Sequence, residues 1–297
     1  MPYPSKDYIP IPQGTTAGQI KLSRHRTSGV FVLDLCGHTG TNPENRWTLP
    51  FATAVHKAFD ATEILLLADP PKSKAAFVTL STAPKFFSNG IDVDWMRNPH
   101  TPTNSLREWD DLTMPAFARP ILLGCPTICA IGGHAFGAGL MFALGHDYRL
   151  QRTKKGYLCA VEIAIGVATP APEITLFKHA MPSDAFYSTV LEAKRWSAEA
   201  AVAKGVIQRA VPMEELVGEA LKEAEKLANL TCAGVVGYTK FVTKGYVAQE
   251  ILEYTFPGGK KQGARSLPKG LARLVEKMVV QKKKPLSARV KGASSSM

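Results

Sequence analysis

Twenty residues in the middle of the chain constrain its fold more than any other stretch. Pro126 opens the apolar run Thr127 to Ile131, which predicts a buried strand. Gly132 and Gly133 break that run. Gly137-Ala138-Gly139 then opens a second apolar run, Leu140 to Leu144, which predicts a buried helix ending near Gly145. A strand that turns tightly into a helix leaves N–H groups at the helix start without partners. Together with the positive end of the helix dipole they suit a negative oxygen. Small residues let a ligand approach the backbone closely. The competing reading is that the turn only packs a helix against a sheet. The turn lacks the Gly-Lys-Ser/Thr ending of a P-loop, and Phe142 stands where a dinucleotide fingerprint needs glycine.

Farther on, Glu162 is a lone carboxylate among Ala160, Val161, Ile163 and Ala164. An oxyanion site beside a semi-buried carboxylate suits proton abstraction next to a carbonyl. The alternative is a carboxylate paired with an arginine.

The same strand–turn–helix grammar recurs along the chain. Residues 1–18 are rich in Pro, Gly and Thr and predict an extended arm. Strands are expected over Ile20 to His25, Val30 to Leu35 and Ala75 to Leu80, with a loop over Gly37 to Pro43 and a helix over Pro50 to Leu67. Lys85 to Asp92 is a second strand and turn, with Asp92 placed to cap the helix after it. A helix is expected over Ser105 to Ala118, and strands over Tyr148 to Leu150 and Gly156 to Cys159. From Pro172 onward the pattern is helical. Ser183 or Asp184 is the expected cap of one helix and Ser197 of the next, Gly205 to Val211 is a short apolar link, and Leu216, Val217, Ala220, Leu221, Ala224 and Leu227 form one stripe. Leu271, Leu274, Val275, Met278 and Val279 repeat that spacing near the C-terminus. Alternating strands and helices followed by helices argue for α/β with parallel strands.

Composition excludes several classes. No apolar run reaches the roughly 18 residues of a membrane helix, and the start carries no secretory pattern. The five cysteines include no Cys-x-x-Cys pair and are expected as core thiols, with no metal site. Of the net charge of +11, +10 sits in residues 260–297, which hold eleven Lys or Arg and one acid, Glu276. The rest is nearly neutral and shows no zinc spacing or recognition helix, so no nucleic-acid partner is expected. The tail is either a solvated charge run or a binder of phosphate or acidic groups.

Phe87-Ser88-Asn89-Gly90-Ile91-Asp92, Pro126 to Ile131, Gly133 to Gly139, Asp147 to Leu150 and Trp196 to Ile207, in this order and spacing, resemble the crotonase (enoyl-CoA hydratase/isomerase) superfamily over roughly residues 18–230. The resemblance implies an α/β fold, a crotonase-like spiral of ββα units with a C-terminal helical trimerisation region. It divides the chain into an arm (1–18), an acyl-CoA-binding core (19–205), a helical region (206–285) and a disordered tail (286–297). It implies an acyl-CoA substrate, no cofactor beyond the coenzyme A of that substrate, and a homotrimer or hexamer. By motif position the oxyanion donors are the N–H groups of Ile91 and Ala138, and Ser88, Asn89, Gly90, Asp92, Gly137 and Met141 line the substrate site. Family hydratases carry two glutamates. Here Met141 occupies the first position and Glu162 matches the second, with one extra loop residue. A single base that removes the alpha proton and returns it at the gamma carbon suffices to move a double bond, so the pattern favours a delta-3, delta-2-enoyl-CoA isomerase of the peroxisomal type. His134 and His146 are expected to be structural. Competing readings are a hydratase, hydrolase or decarboxylase drawing an acid from Asp94, Asp110 or Asp111, and a non-catalytic acyl-CoA-binding member. Lys21, Arg24, Arg26 and Lys282 to Lys284 are candidates for the coenzyme A phosphates. Ser295-Ser296-Met297 loosely resembles the Ser-Lys-Leu peroxisomal address; cytoplasm and mitochondrion are the alternatives.

Overall fold

Strands β2 (Ile20–His25) and β3 (Val30–Leu35) form a hairpin, and β1 (Tyr8–Pro10) adds to its open edge, so part of the expected arm is sheet. The structure is a computed structural model and describes residues 7–35, 42–69, 73–98, 100–230 and 233–254. The expected apolar stripe at 271–279 and the basic tail lie outside the described residues, as does most of the loop expected at 37–43.

From β3 onward the chain repeats one motion. Helix α1 (Leu49–Ala68) leads to β4 (Ala76–Ser81) and β5 (Phe86–Ser88), then α2 (Val93–Arg97) and α3 (Thr103–Leu122). Strands β6 (Thr127–Ile131) and β7 (His134–Phe136) precede α4 (Ala138–Leu144), and β8 (Tyr148–Arg152) and β9 (Leu158–Cys159) precede α5 (Ala171–Ala180), α6 (Ser183–Glu192) and α7 (Ala198–Ala203). The first strand of each pair joins a seven-stranded sheet that ends in β10 (Arg209–Val211); the second joins a three-stranded sheet ordered β5-β7-β9. Helices α8 (Met213–Leu230) and α9 (Ala233–Glu253) follow. This is the expected α/β spiral of ββα units with helices at its C-terminal end.

The strand period of two separates the core into two layers. Even-numbered Val30, Val32, Val78, Leu80, Ile128 and Ala130 pack under Leu216, Ala220 and Ala224 of α8. Odd-numbered Phe31, Leu33, Phe77, Cys129 and Ile131 pack with α1, α3 and α4. The large sheet is thus apolar on both faces, as parallel strands covered by helices require. Cys125, Cys129 and Cys159 are buried free thiols. Among the described residues no helix is long and apolar enough to cross a membrane.

Several local expectations need correction. Helix α3 runs to Leu122 through Pro115 and Pro120, past the expected end at Ala118, because its packing against α1 and α9 outweighs the lost N–H donors. Neither Ser183 nor Asp184 caps α6; the cap position is Pro182, and the Asp184 carboxylate pairs with Lys204. Ser197 does cap α7, accepting from the Ala200 N–H at 3.3 Å. The apolar link after Gly205 contains β10, paired with β8.

Helix α9 is pinned by charge. Lys240 and Lys244, four residues apart on one face, both reach Asp147 in the turn before β8, Lys240 at 2.8 Å. Asp147 also accepts from the Thr127 N–H at 2.8 Å and the Thr127 hydroxyl at 2.9 Å. Burial pushes its carboxyl up, but the two ammonium groups outweigh this and hold it well below the usual carboxylate range. Its contribution to stability is therefore present above the usual range and fades only in strong acid. Asp147→Asn should lower unfolding free energy by about 3–5 kcal/mol, because two buried ammonium groups lose their counter-charge. A urea denaturation showing a loss below about 1 kcal/mol would contradict this.

Candidate active site

The three-stranded sheet gathers the sequence motifs. Its strands are parallel, with Phe86 opposite His134 and Phe136 opposite Cys159. Segments 89–91, 137–138 and 160–162 therefore emerge side by side from the same strand ends. The Gly137 N–H donates to the Cys159 carbonyl at 2.9 Å, which ties the second segment to the third.

Both turns depend on glycine. Gly90 has φ +77°, and a methyl placed on it would sit 2.8 Å from the Phe136 oxygen and 3.6 Å from the Ala138 nitrogen. The two turns thus approach each other at Gly90, which precedes one predicted donor, and at Ala138, the other. Gly137 has φ +50° and ψ −122°, and a methyl on it would lie 2.8 Å from Glu162 Oε1. Among the described residues neither the Ile91 nor the Ala138 N–H has a hydrogen-bond acceptor.

Glu162 follows β9 and immediately precedes a short 3-10 turn, Ile163–Ile165, that leads toward α5. Its carboxylate faces the Gly137 turn, and Oε2 is buried without a hydrogen-bond partner. The arginine-paired alternative finds no support: no Lys or Arg among the described residues forms an ion pair with it. Burial pushes its carboxyl up to about 7, only partly offset by a hydrogen bond from its own backbone. It is poised to exchange a proton near neutrality.

The other predicted residues are placed as follows. Met141 is 2 % exposed on α4. The Ser88 hydroxyl donates to the Asn45 carbonyl at 2.7 Å, and Asn89 Nδ2 donates to Glu44 Oε2 at 2.9 Å. Asp92 caps α2, accepting from the Trp95 N–H at 3.2 Å. These three side chains spend hydrogen bonds on the scaffold of the first turn. His146 is buried between the Thr79 hydroxyl and the Phe142 carbonyl, and His134 Nδ1 accepts from the Tyr157 N–H; neither faces Glu162. Arg24, a phosphate candidate, is paired with Asp69.

Two features were not legible in advance. One is Glu173, 7 % exposed in the first turn of α5. Burial, then the charges of Glu162 and Asp110, hold its carboxyl well above the usual range. The other is segment 42–48, which flanks the first turn. Buried Asn45, at φ +49°, donates to the Phe87 carbonyl and the Ser81 hydroxyl, both at 2.9 Å. Composition marks neither.

Residues 57–292 match the family described as enoyl-CoA hydratase/isomerase. The chain belongs to that family. Among its relatives, it is 34% identical over 182 residues to an Arabidopsis thaliana protein named enoyl-CoA delta isomerase 2, peroxisomal, covering 58% of this chain and 76% of that one. It is 36% identical over 128 residues to enoyl-CoA delta isomerase 3 of the same plant, covering 42% and 54%. In fold it resembles an enoyl-CoA hydratase structure from Mycobacterium ulcerans, with a TM-score of 0.69 over 87% of this chain and 100% of that one, at 18% identity. In this chain the Gly137 turn lies against Gly90 on one side and Glu162 on the other.

Proposed function

We propose that this family member is a delta-3, delta-2-enoyl-CoA isomerase acting on unsaturated fatty acyl-CoA in beta-oxidation. The observation that carries the reading is the meeting of three groups: adjoining glycine turns with two unpartnered amides, and one buried carboxylate facing them without a cation. The thioester oxygen of a 3-enoyl-CoA accepts from the Ile91 and Ala138 N–H groups. Glu162 removes a proton from the alpha carbon, and the electrons move into a dienolate whose negative oxygen the two amides stabilise, each worth about 3 kcal/mol. The protonated Glu162 then returns the proton to the gamma carbon, which leaves the double bond between the alpha and beta carbons. Met141 offers no second acid at the position where hydratases of the family carry one. The names of the plant relatives support the same activity.

One observation favours a second reading. Glu173 places a second buried carboxyl within electrostatic reach of Glu162, and a hydratase needs two carboxyl groups to activate water and supply a proton. Assaying a 3-enoyl-CoA alongside crotonyl-CoA separates the two. Isomerisation exceeding hydration by at least about 10²-fold is expected from the single-base chemistry; comparable hydration, abolished in Glu173→Gln, would transfer the assignment to a hydratase. A peroxisomal location is proposed on the name of one relative; a fluorescent fusion with a free C-terminus that stays out of peroxisomes would remove it. A trimer or hexamer is proposed on the family likeness, and a monomer in sedimentation would refute it.

A further inference from the structure

The first turn is held from outside by a short strand-like segment. The Asn89 N–H donates to the Glu44 carbonyl at 2.9 Å, the Trp47 N–H donates to the Gly90 carbonyl at 2.8 Å, and Trp47 bridges Ile91 in parallel register. The Gly90–Ile91 peptide is planar and trans, so fastening its oxygen toward Trp47 turns the Ile91 N–H the opposite way, away from Trp47. A side-chain clamp lies over this backbone ladder. Glu44 Oε2 accepts from Arg46 Nε at 2.8 Å and from Asn89 Nδ2 at 2.9 Å. The other end of the same guanidinium, Nη1, donates to the Ile91 carbonyl at 3.3 Å. Asn42 brackets Arg46 from behind, accepting from its N–H and donating to its carbonyl, both at 2.8 Å.

The clamp therefore grips the chain immediately before Gly90 and immediately after the Ile91 amide. We propose that Glu44 and Arg46 are positioning residues that set the aim of the Ile91 N–H, acting through the Asn89 side chain and the Ile91 carbonyl. This rests on the proposed role of that amide as an oxyanion donor. Both side chains are about a third exposed, at 33% and 31%, so the pair adds little to global stability. Its geometry, one planar fork bridging a carboxylate and a backbone carbonyl, is one that an ammonium group does not reproduce. Burial pushes the Glu44 carboxyl up, but hydrogen bonds from Asn89 and Arg46 and the charges of Arg46 and Lys85 hold it below its ordinary value, so the clamp is ionised at neutral pH.

The test uses the full-length protein and the variants Arg46→Lys, Arg46→Ala and Glu44→Ala, with Glu162→Gln beside them. For the Arg46 variants we expect kcat on a 3-enoyl-CoA to fall roughly 10- to 100-fold with KM within about threefold, because a misaimed donor weakens transition-state binding selectively. Lysine should not rescue. The ultraviolet band of enolised acetoacetyl-CoA bound to the protein should weaken in the Arg46 and Glu44 variants. Glu162→Gln loses turnover through the base instead. A lysine variant with wild-type kcat, a loss confined to KM, or a loss matched by collapse of the melting temperature would overturn the positioning role while Glu162→Gln still upholds the isomerase. A wild-type protein that neither isomerises nor binds the enolate would overturn both.

Discussion

Glu162→Gln should reduce kcat/KM for isomerisation of a 3-enoyl-CoA by roughly 10²- to 10⁴-fold, the usual contribution of a positioned general base. The side chain keeps its shape in this variant, and only the capacity to take and return a proton is lost. In the wild type the rate should rise about tenfold per pH unit in acid and level off above about 7, where burial has moved the ionisation of Glu162. A limb near the ordinary carboxylate range would mean that the carboxylate is solvated in solution. A glutamine variant with full activity would end the single-base mechanism. The same shift has a consequence for stability. A carboxyl raised in the folded state favours folding below its unfolded pKa, and that contribution is lost as pH rises through about 7. Glu162→Gln should therefore melt at a higher temperature than the wild type at pH 8 and show little gain at pH 5. Catalysis and stability then move in opposite directions at one residue, as expected where burial serves chemistry.

Gly137→Ala should lower kcat by about 10²- to 10³-fold, the cost of losing one oxyanion donor, and destabilise the fold by about 1–3 kcal/mol. Two independent causes act at this position. Its φ of +50° with ψ of −122° is open to glycine and strained for alanine. The added methyl would also sit 2.8 Å from Glu162 Oε1, on the line between the base and the Ala138 turn. Either the carboxylate moves or the turn opens, and both separate the groups that must meet. Gly124→Ala is the control, since nothing lies within 4 Å of its added methyl and its φ is not left-handed. Wild-type kcat and melting temperature in Gly137→Ala would show that the turn relaxes freely and does not aim an amide.

Much of this architecture is legible in the residues. The apolar runs at 30–35 and 127–131 became strands over those spans, because a continuous run of branched and aromatic side chains satisfies a strand covered on both faces; 20–25 became one with only Ile20 and Leu22 buried. Asp92 and Ser197 cap helices as their positions indicate, because capping is decided by three or four adjacent residues. Glu162 stood out because a carboxylate among apolar neighbours is costly unless it has a task. Strands β1, β7 and β10 did not stand out. Each is three residues long and pairs with a segment distant in the chain, so no local period marks it. The passage of α3 through two prolines and the stacking of Asn42, Asn45 and Arg46 beside the first glycine turn depend in the same way on partners brought up by the spiral.

The sequence alone determined which peptide units are able to turn without a side chain and which carboxylate is left among apolar neighbours, since both follow from covalent identity and near neighbours. Only the tertiary structure decided that the two turns meet, that Glu162 faces them without a cation, and that Glu44 and Arg46 lie over Ile91. Those are relations between residues 24 to 71 positions apart. They arise because three parallel strands of the small sheet end side by side, an arrangement set by long-range pairing that no window of the sequence encodes.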